Sequence, residues 1–299
     1  MKSISDQQLI FLGSIDYSYF SRAFAKSQLD DSCVSSFCNI IYQYYKQFGR
    51  VFSWRKTTVP YEIVVSEIML QQTQTYRVAG KFERFISEFP NFHVLATSSL
   101  SAVLACWQGL GYNRRAKALH ELAKKVMHDY GGVLPKNEET LQTFSGIGPA
   151  TAASICAFAF NMPTVFIETN IRSLFIHFFF GNTQEKIKDK QIMPLVERTL
   201  DLKNPCVWYY ALTDYGVALK KINPQLNAKS LHHVKQSRFE GSNRQIRGEI
   251  LRMMLTKKGV NEQQLLRFIA REPDRVRSVL SGLISEGFIK VERGRFEIA

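Results

Sequence analysis

Two carboxylates in this sequence have neighbours that set them apart from the other acids. Glu67 lies in Tyr61-Glu62-Ile63-Val64-Val65-Ser66-Glu67-Ile68-Met69-Leu70-Gln71-Gln72-Thr73. At helical spacing it neighbours Ile63, Val64, Leu70 and Gln71, which makes a largely apolar face. Burial there disfavours the charged form, and a carboxyl that stays neutral can donate a proton near neutral pH. The same residues also allow a partly exposed glutamate paired with a Lys or Arg. Glu168 lies in Phe166-Ile167-Glu168-Thr169-Asn170-Ile171-Arg172, with a helical pattern after it. That puts it at or just before a helix N-terminus, where the dipole and unpaired N–H groups favour an anion. An ordinary helix-start acid fits this position too. Together the pair meets a known chemical need. Cleaving a glycosidic bond through an oxocarbenium-like state takes one acid for the leaving group and one anion near the sugar.

A third segment suggests how a large anionic substrate would be held. Leu141-Gln142-Thr143-Phe144-Ser145-Gly146-Ile147-Gly148-Pro149-Ala150 joins two helical stretches. Gly146 and Gly148 permit a tight turn and close approach of a ligand to the backbone. Pro149 stands where the next helix should begin, and its missing N–H costs nothing there. The other N–H groups of that helix start can point at a phosphate. A plain turn between two helices is the other reading of a bare Gly-Ile-Gly.

These residues need helices to position them, and the apolar spacing is helical almost throughout. It predicts helices over 40–48, 62–77, 114–130, 150–160 and 171–180, with a stop signal at Gly131-Gly132. Residues 1–32 show no period and are expected to be an extension; 33–222 form the main body, and 223–243 read as a polar linker with Pro224 and Gly241-Ser242-Asn243. Beyond it, helices over 247–258, 262–270 and 273–286 precede two short strands, 288–291 and 295–298, around Gly294. Three helices and a hairpin in residues 244–299 are the order of a winged helix-turn-helix.

The charge fits a polyanionic partner. The 299 residues carry 39 Lys and Arg against 26 Asp and Glu. Residues 220–299 hold 17 of those cations against 8 anions, a net of +9. Nucleic acid is the first expectation and an anionic membrane surface the second. No run approaches the length of a membrane span, and no secretory signal is seen, so no membrane partner is expected. Cys33, Cys38, Cys106, Cys156 and Cys206 are odd in number and lack ribbon or redox spacing. They read as buried thiols in a reducing cytoplasm, and no metal site is expected.

Trp54-Arg55-Lys56-Thr57-Thr58-Val59-Pro60-Tyr61, followed by Ser66-Glu67-Ile68-Met69-Leu70-Gln71-Gln72-Thr73, resembles adenine DNA glycosylases of the MutY type. Gly109-Leu110-Gly111-Tyr112, Gly146-Ile147-Gly148 and Asn170-Ile171-Arg172 follow in that family's order, and the similarity covers residues 35–220. The resemblance implies a mainly α fold, a two-lobed helix-hairpin-helix glycosylase with DNA as partner. The chain would act as a monomer at the nucleoid. It implies that Glu67 protonates a flipped adenine and that Gln71 and Tyr112 wedge into the duplex. Gly146 and Gly148 would take the backbone phosphate, and Glu168 would face the sugar cation with Asn170 in support.

The sequence departs from the family at several points. Glu168 stands where the family uses Asp. Ala150 stands where lyases of the superfamily carry Lys, so Schiff-base chemistry is not available at that position. Adenine-specific relatives often have Ser or Tyr there. The four-cysteine motif is missing, with Lys220 near its first position, so no iron–sulfur cluster and no other cofactor is expected. The C-terminal segment lacks the family's usual module for reading 8-oxoguanine. The reading is a monofunctional glycosylase for adenine opposite guanine or 8-oxoguanine. Two alternatives stay open. One is a glycosylase for mismatched thymine or uracil. The other is a non-catalytic winged-helix regulator, with Arg275 and Arg277 on its recognition helix against DNA.

Overall fold

The helical spacing of the apolar residues carries through into the structure, a computed structural model that describes residues 3–25, 29–181, 183–233 and 237–299. The helices are α1 (Asp6–Gly13), α2 (Tyr17–Ala25), α3 (Asp31–Phe48), α4 (Pro60–Leu70), α5 (Thr75–Glu88), α6 (Phe92–Thr97), α7 (Leu100–Trp107) and α8 (Arg114–Tyr130). They continue as α9 (Glu138–Gln142), α10 (Pro149–Phe160), α11 (Thr169–Phe179), α12 (Asp189–Thr199), α13 (Pro205–Ile222), α14 (Asn243–Thr256), α15 (Glu262–Ile269) and α16 (Pro273–Ser285). Strands β1 (Ile289–Glu292) and β2 (Arg295–Ile298) close the chain.

The helix predicted over 62–77 is interrupted. α4 ends at Leu70, Gln72 turns left-handed with φ +51°, and α5 starts at Thr75. Spacing alone could not show this, because Arg115, far along the chain, takes the carbonyls of Ile68, Met69 and Gln71 that would have continued the helix.

The chain packs as two units. The first comprises 1–58, 136–138 and 148–235. Its core is built on α3, α11 and α13, where Phe37, Phe175, Phe178, Trp208 and Tyr215 are fully buried. Each such side chain adds roughly 1.5–3 kcal/mol of burial. Part of the expected N-terminal extension packs onto this core. α2 packs on α11, burying Phe20, and Ser21 donates to the Phe178 carbonyl at 2.9 Å. The Tyr17 and Tyr215 hydroxyls bond at 2.9 Å. The expected linker is also partly built in. Leu226–Lys229 forms a 3-10 turn against α11, and the Ile187 N–H and carbonyl bond to Lys229 and Leu231. Residues 234–236 of that linker lie outside the described residues.

The second unit comprises 59–135, 139–147 and 236–299. α6 and α7 pack on α8 around Leu95, Val103, Trp107, Leu119 and Leu122. The C-terminal module keeps the predicted order of three helices and a hairpin. β1 and β2 pair antiparallel in the register Ile289↔Ile298 and Val291↔Phe296. The module meets α8 through Glu286. Arg114 donates to its carboxylate at 2.8 and 2.6 Å, and Arg247 donates to it at 3.0 Å. Lys117 adds bonds to the Glu286 and Gly287 carbonyls.

The hydrogen bonds from Arg114, and then those from Arg247, hold the Glu286 carboxyl down at about 2, against an ordinary 4.5 and against partial burial. A depressed carboxyl stabilises the fold above its ordinary range, and that contribution is lost as pH falls through the lower value. Glu286→Gln should therefore lower stability in urea melts at neutral pH. The gap to the parent should close as pH falls from 4.5 towards 2.

Candidate active site

In the second unit, Pro60 at the first position starts α4, and the apolar run after it buries the helix on most sides. Glu67 is half-buried there, beside Ile63, Val64 and Ile68, which are fully buried. One turn on, Gln71 caps the helix, and its Nε2 donates to the Gly146 carbonyl at 3.0 Å. Gly146 has φ +82°, and a Cβ added to it would meet the Ala118 Cβ at 2.9 Å. Glycine is thus required twice, for the turn and for the space. Phe144 and Ile147 bury their side chains on either side and pin the turn.

Arg115 ties these parts together, and sequence reasoning missed it. Only 9% of the residue is exposed. Its Nη1 donates to Ile68, Met69 and Gln71 carbonyls at 2.9, 2.8 and 2.5 Å. Its Nη2 reaches Thr73 Oγ1 at 2.9 Å and the Gly111 carbonyl at 3.1 Å. Burial pulls its pKa down to about 10. Gln71, Gly146 and Tyr112 are thereby brought into one bonded group. The signal in the sequence is an arginine at a buried position of α8's apolar pattern.

Arg275 and Arg277 stand apart from that group and are used within the module. Arg275 donates to Asn243 Oδ1 at 2.7 Å and to the Gly241 carbonyl at 2.6 Å. Arg277 donates to Glu262 at 2.7 Å and to Asp274 at 2.8 Å.

In the first unit, Gly148 is the N-cap of α10, with Pro149 at the first helical position. Glu168 is the N-cap of α11. Its Oε1 accepts the Ile171 N–H at 2.9 Å, and its Oε2 accepts Asn170 Nδ2 at 3.0 Å. Asn170 Oδ1 in turn accepts Lys220 Nζ at 3.2 Å. Burial lowers the Lys220 pKa, while the nearby Glu168 charge raises it. Gly216 makes this chain possible, since a Cβ there would fall far inside contact distance of the Asn170 carbonyl oxygen. α13 therefore lies tight against Asn170, and Lys220 follows one turn later.

A second acid of this unit was not singled out from sequence. Asp214 on α13 is 2% exposed. It accepts Arg50 Nε at 2.7 Å and Arg55 Nη2 at 2.8 Å. The Arg55 guanidinium also lies 4.4 Å from the Tyr210 ring centroid. A lone Asp inside the apolar run Trp208–Leu219 was the available signal.

Lys220, which the resemblance puts near the family's first cluster cysteine, has its amine bonded to Asn170. No group of three metal-ligating side chains occurs among the described residues. Burial pushes the Cys38 and Cys156 thiols up to about 11.

Residues 65–199 match the profile of the HhH-GPD superfamily of base excision DNA repair proteins. This stretch contains Glu67, Gln71, Tyr112, the glycine turn, Glu168 and Asn170. The adenine DNA glycosylase of Buchnera aphidicola subsp. Baizongia pistaciae is 33% identical over 193 residues, 64% of this chain and 55% of that enzyme. That of Mycolicibacterium smegmatis is 27% identical over 274 residues, 86% of this chain and 94% of the relative. The chain spans about half the length of several curated relatives it matches. Among solved structures, a thermostable thymine-DNA glycosylase superposes with a TM-score of 0.58 at 26% identity, over 63% of this chain and 88% of the other. No described helix is long and apolar enough to cross a membrane.

Gly216→Ala tests the packing behind Glu168. Alanine is the better helix former by about 1 kcal/mol. Overpacking against Asn170 should outweigh that and destabilise by about 1–3 kcal/mol. A melting temperature equal to or above the parent's would show that α11 and α13 can part without loss.

Proposed function

We propose that the protein is a monofunctional DNA glycosylase of base excision repair, acting on adenine opposite guanine or 8-oxoguanine in double-stranded DNA. The observation that carries the reading is Glu67. It is a half-buried carboxyl among fully buried aliphatic side chains, one helical turn from a glutamine bonded to the glycine turn. The adenine DNA glycosylases among the relatives support the choice of base. The protein would work as a monomer in the cytoplasm, at the nucleoid.

In this reading the target base leaves the duplex, at a cost of a few kcal/mol that is least at a mispair. Glu67 donates its proton to the base. The bond from C1′ to the base nitrogen then breaks, and the electron pair leaves with the base. The Glu168 carboxylate, oriented by the Ile171 N–H and Asn170, offsets the positive charge left on the sugar. A water adds to C1′ and loses its proton, leaving an abasic site. Ala150 offers no amine, so no Schiff base to the sugar forms at that residue. Phosphate would be held by the backbone of the glycine turn and the start of α10. No iron–sulfur cluster takes part.

A second reading, excision of thymine or uracil from a mispair, is favoured by the thymine-DNA glycosylase neighbour. One panel separates the two. Duplexes with A:8-oxoguanine, A:G, T:G and U:G are incubated with the protein, and strand breaks are measured after alkali. Adenine release is expected from the first two. Glu67→Gln should slow excision at least about a hundredfold, the scale of a general acid. Excision by that variant at the parent's rate would remove Glu67 from the chemistry. The purified protein should lack visible charge-transfer absorption; stoichiometric iron with such absorption would overturn the cluster-free reading.

A further inference from the structure

Tyr112 closes the turn that starts at Gly109. It is itself left-handed, with φ +49°, a conformation that costs a bulky residue free energy. Its hydroxyl accepts Arg244 Nη1 at 2.8 Å. Arg244 belongs to the first turn of α14, in the C-terminal module. The other arm of the same guanidinium donates to the Ser237 carbonyl at 2.7 Å. Two cations lie within cation–π range of the tyrosine ring, Arg115 at 5.4 Å and Arg244 at 5.8 Å from its centroid.

Arg244 is also held in place by the module it comes from. Glu286 bonds both Arg114 of α8 and Arg247, which lies three residues after Arg244 on α14. Lys117 and Arg247 both lie over the Phe288 ring, at 5.4 and 4.8 Å. The module is thus fastened to the helix that follows Tyr112, so Arg244 reaches the tyrosine from a fixed point. The arginines expected to read DNA, Arg275 and Arg277, have their bonds inside the module.

We infer that Arg244 is a positioning residue for base-pair discrimination: it holds the Tyr112 ring in the orientation that senses the mispair, and through it the C-terminal module takes part in choosing the substrate. The inference rests on the reading of Tyr112 as a side chain that enters the duplex. A charged hydrogen bond of this kind is strong enough to change a rate ratio roughly tenfold.

The test is a double-mutant cycle in the full chain with Arg244→Ala, Tyr112→Phe and both together. The readout is the ratio of single-turnover excision rates on the best and next-best duplex of the panel. Each single variant should reduce that ratio roughly tenfold, and the double variant should be no worse than the worse single one. Arg244→Lys keeps the charge without the fork. It should leave affinity for matched duplex at the parent's level and the ratio low. An unchanged ratio in Arg244→Ala, or losses that multiply in the double variant, would overturn the inference. So would equal loss on matched and mispaired DNA with a salt slope shallower by about 0.9, the signature of a plain phosphate contact. If the parent excises nothing from the panel, the glycosylase reading fails by itself. The same four proteins then give the cycle from equilibrium binding to mispaired and matched duplexes, with the same expected and overturning results.

Discussion

Arg115 carries a positive charge into the interior of its unit and meets backbone oxygens there. Its donors serve the end of α4 and the turn before α8 at once. The last carbonyls of a helix carry partial negative charge, so a cation at that end is favoured. Burial works against the ion, and its lowered pKa registers that opposition. The guanidinium prevails because it fills several acceptors in a fixed planar fork, which an ammonium cannot do. Two left-handed residues, Gln72 and Tyr112, belong to the turns it ties. Without a shared centre of hydrogen bonds, neither strained turn would have a reason to persist.

The other unit handles its charges differently. Asp214 is fully buried and meets two arginines, the pairing that makes a buried carboxylate tolerable. Glu168 relies on softer support from a helix N-terminus, one N–H and an asparagine. That difference suits the part proposed for Glu168. A carboxylate neutralised by two guanidiniums has little field left for a cation on a substrate. One held by dipoles keeps most of its charge available. Lys220 stands one step removed, bonded to the asparagine, so it orients the supporting amide.

The C-terminal module links the two themes. Its contact with α8 is mostly ionic, around Glu286 and Lys117. An ion pair open to solvent on one side, as Arg114–Glu286 is, adds little stability by itself, but a carboxylate shared by two arginines fixes geometry. The module is therefore best described as part of the unit that holds Glu67, though the sequence suggests an appended domain after a linker.

Much of this was legible in the sequence. Helical spacing marked α8, α10, α11, α14, α15 and α16 to within a few residues, because local propensity and burial of one face agree there. The setting of Glu168 at a helix start followed from the helical pattern after it. The apolar setting of Glu67 followed from its neighbours three and four residues away. What could not be read was every feature made by residues far apart in the chain. Arg115 stops a helix whose own spacing says it should continue. α1 and α2 look aperiodic until the partners on α3, α11 and α13 are known. Asp214 and Lys220 acquire meaning only beside Arg55 and Asn170, and Arg244 only beside Tyr112. The physical reason is range. Periodicity and capping act within one or two turns of chain and are written in consecutive residues. The partner of a buried charge is chosen by the packing of helices, which only the tertiary structure decides.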